Sequence, residues 1–219
     1  MAHIHLEDGS FPLFWVIAWW FLAILVIGFC LFIIRKRGMQ KGRTIAVAAF
    51  CTAAAFAVFQ ISIPVFGGVH LNLTPLIGIL VGPFIGSLVV LILNILLAAV
   101  GHGGFGTIGA NTLVNTVEVT VAYCLYLLLK NLVGKSSVRA GIATFFALVS
   151  GNAAMVAIIL ISGIPGVSQS PEQVLYGLSL LAAINTGVAI LEAILTGFII
   201  GFLDQVRPDL LGEPSHTGQ

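Results

Sequence analysis

Residues 11–37 read FPLFWVIAWWFLAILVIGFCLFIIRKR. From Phe11 to Ile34 nothing is charged, and the run ends abruptly on Arg35, Lys36 and Arg37. A bilayer core takes roughly 20 apolar helical residues, with a range of about 17–25, so this run is long enough to cross. It is too long for the apolar core of a signal peptide, and no small-residue cleavage site follows it before the basic block. The run is therefore read as a retained membrane helix, with the mature N-terminus staying near Met1.

The rest of the chain has the same character. Its 219 residues are 59% hydrophobic and only 8% charged, against about 25% charged in ordinary soluble domains. No soluble fold of this size hides so much apolar surface, so the solvent is lipid. Further spans are expected at about 44–64, 71–81, 84–100, 109–129, 140–164 and 174–202. The pair 71–81 and 84–100 is separated at Gly82-Pro83; one long kinked helix is the alternative. The fold class expected is all-α, a polytopic bundle of about seven transmembrane helices. It forms one unit over 1–210, its N-terminal segment binding metal, followed by a tail at 211–219.

The nine Lys and Arg residues fall into patches at Arg35, Lys36, Arg37, Lys41 and Arg43, at Lys130, Lys135 and Arg139, and at Arg207. With seven spans all of these lie on one side, which the positive-inside rule makes cytoplasmic. The N-terminus is then outside and the tail inside. A net charge of +1, with the basic residues acting as topological signals, excludes a nucleic-acid partner. Cys30, Cys51 and Cys124 lie in apolar runs without CxxC spacing and read as small hydrophobes.

His3, His5, His70 and His102 fall in the segments that alternate with the basic patches. Met1-Ala2-His3 places an amine, a backbone amide and an imidazole in chelating sequence. Such donors suit metals that favour square-planar nitrogen coordination, chiefly Cu(II) and Ni(II). Loss of Met1 before the small Ala2 leaves three donors and one open corner; with Met1 retained, its amine, two amides and His3 close the square. The alternative is an N-terminal His pair that is merely frayed. His70 follows Gly67-Gly68 and is either a helix-end residue or a ligand. As a ligand its second nitrogen needs a partner, for which Gln60 and Asn72 are the candidates. Gly101-His102-Gly103-Gly104 lacks the order of a phosphate loop and reads as a lid over a substrate, with Asn111 helping to order it.

Within the spans, Glu118, Glu192 and Asn94 stand out because polar groups in hydrocarbon are costly and face the bundle interior. Glu118 is either an acceptor behind the metal site or a structural partner of Asn115 or Thr120. Ala49, Ala53 and Ala57 form a small-residue stripe of the kind that lets membrane helices approach closely. It serves either packing within the bundle or a partner. No Ser/His/Asp set, HExxH motif or carboxylate pair supports an intramembrane hydrolase.

The run from Ala57 through Glu118, especially Gly67-Gly68-Val69-His70-Leu71, Gly82-Pro83-Phe84-Ile85-Gly86 and Phe105-Gly106-Thr107-Ile108-Gly109-Ala110-Asn111, resembles the CbiM/NikM family. Those proteins are cobalt and nickel substrate-binding membrane subunits of energy-coupling-factor transporters. The resemblance covers most of the chain. It implies a prokaryotic inner-membrane protein without an ATPase site of its own, working with a transmembrane coupling subunit and two cytoplasmic ATPases. A small additional membrane subunit is compatible with it.

The family chain starts Met-His-Ile, and loss of Met1 here makes His3 the second residue. The resemblance then implies Ala2, His3 and His70 as ligands of Ni²⁺, or of Co²⁺ as the alternative. His5, Gln60, Asn72, His102, Asn111 and Glu118 are placed behind or over the site. By the same analogy the Ala49/Ala53/Ala57 stripe docks the coupling subunit. Two rival functions are a vitamin-binding subunit of the same transporter class, needing an apolar aromatic pocket, and a membrane metalloenzyme, needing a general base and an open metal position.

Overall fold

The computed structural model describes residues 11–39, 42–61, 70–163 and 171–211. The described residues form six long helices: α1 (Leu13–Arg37), α2 (Gly42–Phe59), α3 (Thr74–Ala99), α4 (Ile108–Leu128), α5 (Ser136–Ser162) and α6 (Pro171–Val206). Short 3₁₀ turns follow or precede them at Phe105–Thr107, Leu129–Asn131 and Pro208–Leu211. All six long helices contain stretches long and apolar enough to cross a membrane. The chain is a multi-pass membrane protein.

α1 is apolar all round, as a lipid-facing helix should be. Its buried residues Ala23, Ile27, Cys30 and Ile34 make one narrow stripe, while Phe14, Ile17, Phe21 and Ile24 stay exposed. Gly38, with φ 59°, ends the helix. The Gly38 N–H donates to Arg35 O, and the Met39 N–H to Ile34 O at 3.1 Å, a left-handed C-terminal cap. Arg35, Lys36 and Arg37 occupy the last turn, where cations meet the negative end of the helix dipole.

The third helix decides the count of passes. Its 26 residues would span about 39 Å if straight. Yet His70, just before it, and His102, just after it, have ring centroids 5.5 Å apart. The chain doubles back at Gly82, whose φ of 77° and ψ of 174° are not helical. Pro83 follows, and a proline cannot continue the bonding of the preceding turn. Gly78 and Gly86, on either side of the reversal, both pack on Val119 of α4. α3 is thus a hairpin of a short arm, 74–81, and a long arm, 83–99. The expected break at Gly82-Pro83 is present. Residues 70–73 are non-helical, and the first half is helical only from Thr74.

The hairpin is the hub. α3 packs on α4, α4 on α5 and α5 on α6, while α2 lies chiefly against α3. Ala48, Cys51, Ala55 and Phe59 form the buried face of α2. Ala49, Ala53 and Ala57 are exposed on the other side, so among the described residues nothing buries the stripe.

Polar chemistry separates the two ends of the bundle. At the Gly82 end, the Arg37 guanidinium lies 5.8 Å from the Phe84 ring centroid. Nearby, Arg43 bonds Asp209, and Arg207 Nε donates to Asp209 at 3.0 Å. Ser136 donates to Asp204 at 2.7 Å, and Arg139 to the Tyr126 hydroxyl at 2.8 Å. The opposite end carries His70, His102 and the indole of Trp20, which donates to Phe105 O at 3.1 Å.

Candidate metal centre

α2 ends at Phe59, whose carbonyl is among the last of the helix, groups that take partners from outside it. His70 takes that carbonyl: its Nδ1 lies 2.7 Å from Phe59 O. A carbonyl can only accept, so Nδ1 carries the proton, and in the neutral ring Nε2 keeps its lone pair. This is the arrangement by which a metal-binding imidazole is commonly oriented. The His70 ring stacks on Phe59, with centroids 4.9 Å apart and planes 14° from parallel. His102 meets both rings edge-on, 5.6 Å from Phe59 and 5.5 Å from His70.

The partner of His70 is therefore neither Gln60 nor Asn72, the two expected from sequence. Gln60 is exposed, and the Asn72 amide is committed deeper in the bundle. A backbone carbonyl is common to every residue type and leaves no mark in the sequence.

The loop bearing His102 is built by Thr107. Its hydroxyl donates to Gly104 O at 2.9 Å and accepts from the Gly104 N–H at 3.3 Å. Asn111 Nδ2 reaches the same hydroxyl at 3.5 Å. Gly101 and Gly103 have φ of 82° and 88°, backbone that residues with a Cβ rarely adopt. His102 Nδ1 is buried without a hydrogen-bond partner.

Beneath the histidines lies a second polar layer. Glu118, 1% exposed, accepts from Thr74 Oγ1 at 2.6 Å and from Asn72 Nδ2 at 3.2 Å. Glu192 of α6, fully buried, accepts the backbone N–H groups of both Asn72 and Leu73 through Oε1. Neither Asn115 nor Thr120 is the partner of Glu118. Asn115 donates to Asn94 at 3.4 Å, and Thr120 turns back to Thr116 O at 2.7 Å.

Leu73 has φ 54° and ψ 11°, the one non-glycine residue with positive φ among those described. The left-handed region costs an L-residue about 1–2 kcal/mol. The two N–H bonds to Glu192 offset that strain. Sequence marked Glu192 as a costly polar residue within a span, but its place beside the 70–73 segment follows only from the hairpin.

Ala2, His3 and His5 lie outside the described residues. The described chain begins at Phe11, 6% exposed, in a cluster with Ala110, Val114, Met155, Ile158 and Ile159. Among the described residues no three His, Cys, Asp or Glu side chains converge as a metal cage. What they do contribute is one oriented imidazole, His70, and a second ring, His102, against it.

A family model described as the cobalt uptake substrate-specific transmembrane region, CbiM, matches residues 5–210. The chain is 28% identical over 216 residues to a protein of Sorangium cellulosum named cobalt transport protein CbiM, covering 95% of this chain and 94% of that one. It is 30% identical over 213 residues to the protein of the same name in Anoxybacillus flavithermus, covering 91% and 82%. A crystal structure of a transition metal transporter superposes with a TM-score of 0.77 at 18% identity, covering 93% of both chains; it shows the same fold. With a family match that runs from His5 to Leu210, the chain belongs to the CbiM family of cobalt-uptake substrate-specific transmembrane proteins.

Proposed function

We propose that this protein captures a divalent transition-metal ion at the histidine end of the bundle, as the substrate-binding subunit of an ATP-driven uptake complex. Cobalt is the first cargo to test, because the relatives are named for cobalt transport. Nickel is the competitor, because an amine, an amide and imidazole nitrogens in one plane suit low-spin Ni(II).

The observation that carries the proposal is the orientation of His70. Its Nδ1 is committed to Phe59 O, which leaves Nε2 as a donor beside His102. The remaining donors are assigned to the N-terminal segment: the amine of Ala2 after loss of Met1, and the amide and imidazole nitrogens of His3. From Phe11 the eight residues back to His3 can extend at most about 29 Å, ample for a segment starting at this end of the bundle. Deprotonating the His3 amide as the metal enters makes affinity rise with pH. Glu118, Asn72 and Asn111 act behind the site, on the backbone that carries the histidines, and His102 covers it.

The histidine end faces outward and the arginine end faces the cytoplasm, as the basic residues require. The chain has no ATP site of its own. It works with a transmembrane coupling subunit and two cytoplasmic ATPases, and the exposed Ala49, Ala53 and Ala57 supply the docking face. The vitamin-binding alternative has less support. Two larger cavities, of about 1100 Å³ between α5 and α6 and about 420 Å³ between α2, α3 and α6, are not lined by His70 or His102. The one beside Glu118, Asn152 and Asn185 has only about 20 Å³, room for one water.

Isothermal titration of the purified protein with Co²⁺, Ni²⁺ and vitamins tests the proposal. One metal per chain is expected, with no heat from the vitamins. One residue added before Ala2 should weaken binding as severely as His3→Ala, because the amine leaves chelate range. An extended protein that binds metal like wild type would refute the ligand set.

A further inference from the structure

We infer that Glu192 is a positioning residue for the metal site, acting through the left-handed turn at Leu73 on the placement of His70. The inference rests on His70 being a ligand, as proposed above, and adds a residue that touches neither the metal nor the histidine.

The geometry is a grip from two helices. Glu192 Oε1, projecting from α6, accepts two successive backbone N–H groups, those of Asn72 and Leu73. Successive N–H groups aimed at one oxygen make a small anion-binding concavity, here filled by the protein's own carboxylate. From α4, Glu118 Oε2 takes the Asn72 amide at 3.2 Å and the Thr74 hydroxyl at 2.6 Å. Asn72, Leu73 and Thr74 are 1%, 5% and 0% exposed, so no water can replace these bonds. Leu73 alone among the described non-glycine residues holds a positive φ. Without an acceptor, this backbone has both an uncompensated conformation and two orphaned donors.

His70 stands three residues before Leu73, on backbone outside the helix. Its own side chain is held by Phe59, through a hydrogen bond to the carbonyl and a stack on the ring, and by the edge-on His102 ring. If Leu73 relaxes to an ordinary φ, the segment 70–72 rotates. His70 then leaves the Phe59 carbonyl, and Nε2 changes direction.

The second oxygen of the same carboxylate makes a clean test available. Among the described residues Glu192 Oε2 has no hydrogen-bond partner. Glu192→Gln keeps an oxygen acceptor of the same reach and replaces only that idle atom. Glu192→Asp keeps the carboxylate but withdraws it by one methylene. Glu192→Leu removes the acceptor.

The experiment measures Co²⁺ affinity by titration, the visible absorption spectrum of the bound ion, and the thermal midpoint of each purified variant, with His70→Ala alongside. Remote partners of a ligand typically alter metal affinity by about 10–100-fold. Glu192→Gln should bind within about threefold of wild type with an unchanged spectrum, and Glu192→Asp should bind at least about tenfold more weakly with a shifted spectrum. Glu192→Leu should resemble Asp or be worse. If Asp binds normally and Gln does not, charge rather than reach matters and the inference is wrong. If the variants lose thermal stability while the folded protein keeps its affinity and spectrum, Glu192 is only structural and the inference is again wrong. Normal metal binding by His70→Ala would instead overturn the ligand set itself.

Discussion

Ala49, Ala53 and Ala57 of α2 and Gly78, Gly82 and Gly86 of α3 follow one rule, a small residue every fourth position. Their fates are opposite. The glycine stripe is consumed inside the bundle: Gly78 lies against the backbone of Val119, Gly86 against its side chain, and Gly82 is the point where the hairpin reverses. The alanine stripe stays exposed, while the other face of α2 does the internal packing. Small-residue spacing thus permits close approach between membrane helices without saying which helix will approach. The difference lies in what the remaining residues of each helix can bury. α3 buries most of its length, whereas α2 has one core face of Ala48, Cys51, Ala55 and Phe59 and nothing on the other.

Four substitutions probe this contrast. Gly78→Leu should have the largest effect. A side chain there collides with the Val119 carbonyl, and backbone cannot step aside as a flexible tip can. The cost should reach or exceed the upper end of the roughly 1–3 kcal/mol usual for overpacking. Loss of a monodisperse peak after detergent extraction is the expected readout. Recovery of well-folded protein at wild-type yield would show that the hairpin is looser than described.

Ala53→Leu should leave the thermal midpoint and the metal affinity close to wild type, since exposed substitutions stay within about 0.5 kcal/mol. Co-purification with the coupling subunit should fall sharply. Equal loss of stability would place the stripe inside the protein after all. Thr107→Val comes next. It removes the hydroxyl that bonds Gly104 and Asn111, at about 1 kcal/mol per lost bond. The effect should appear as faster hydrogen exchange at residues 101–107, with the hairpin protected as before.

Asp209→Asn, at the opposite end, should change least. Arg207, with Arg43, holds the Asp209 carboxyl below its ordinary value, in full contact with solvent. A lowered carboxylate contributes stability that is complete above its unfolded value and lost as pH falls through the folded one. The pair is exposed, so any difference between this variant and wild type in thermal midpoint should be small, and it should be fully present at neutral pH. It should vanish only below the ordinary carboxylate range. A difference that grew on acidification would contradict the ion pair.

Much of this was legible in the residues. The lipid-facing character of α1, the boundary at its basic last turn and the break at Gly82-Pro83 follow from composition and from the backbone chemistry of glycine and proline. The grouping of Lys and Arg anticipated the arginine-rich end seen around Arg43, Arg207 and Asp209. What could not be read were contacts made by backbone and contacts across the hairpin. The oxygen that orients His70 is the carbonyl of Phe59, which every residue type would present. Glu118 and Glu192 were conspicuous as buried acids. Their partners at 72–74 lie 44 to 120 residues away in sequence, and only the reversal at Gly82 brings those residues to α4 and α6. The helix ends moved for local reasons: α5 begins at Ser136 and α6 runs to Val206, since polar residues at an interface continue a helix that hydropathy alone would end.

The central claim is that the histidine end holds the metal through nitrogen donors that include His70. X-ray absorption of the cobalt-loaded protein, wild type beside His70→Ala, tests it most directly. The account predicts a first shell of nitrogen without sulfur in wild type, imidazole scattering from two histidines, and loss of one imidazole contribution in His70→Ala. A shell of oxygen or sulfur donors, or a spectrum that His70→Ala leaves unchanged, would contradict it.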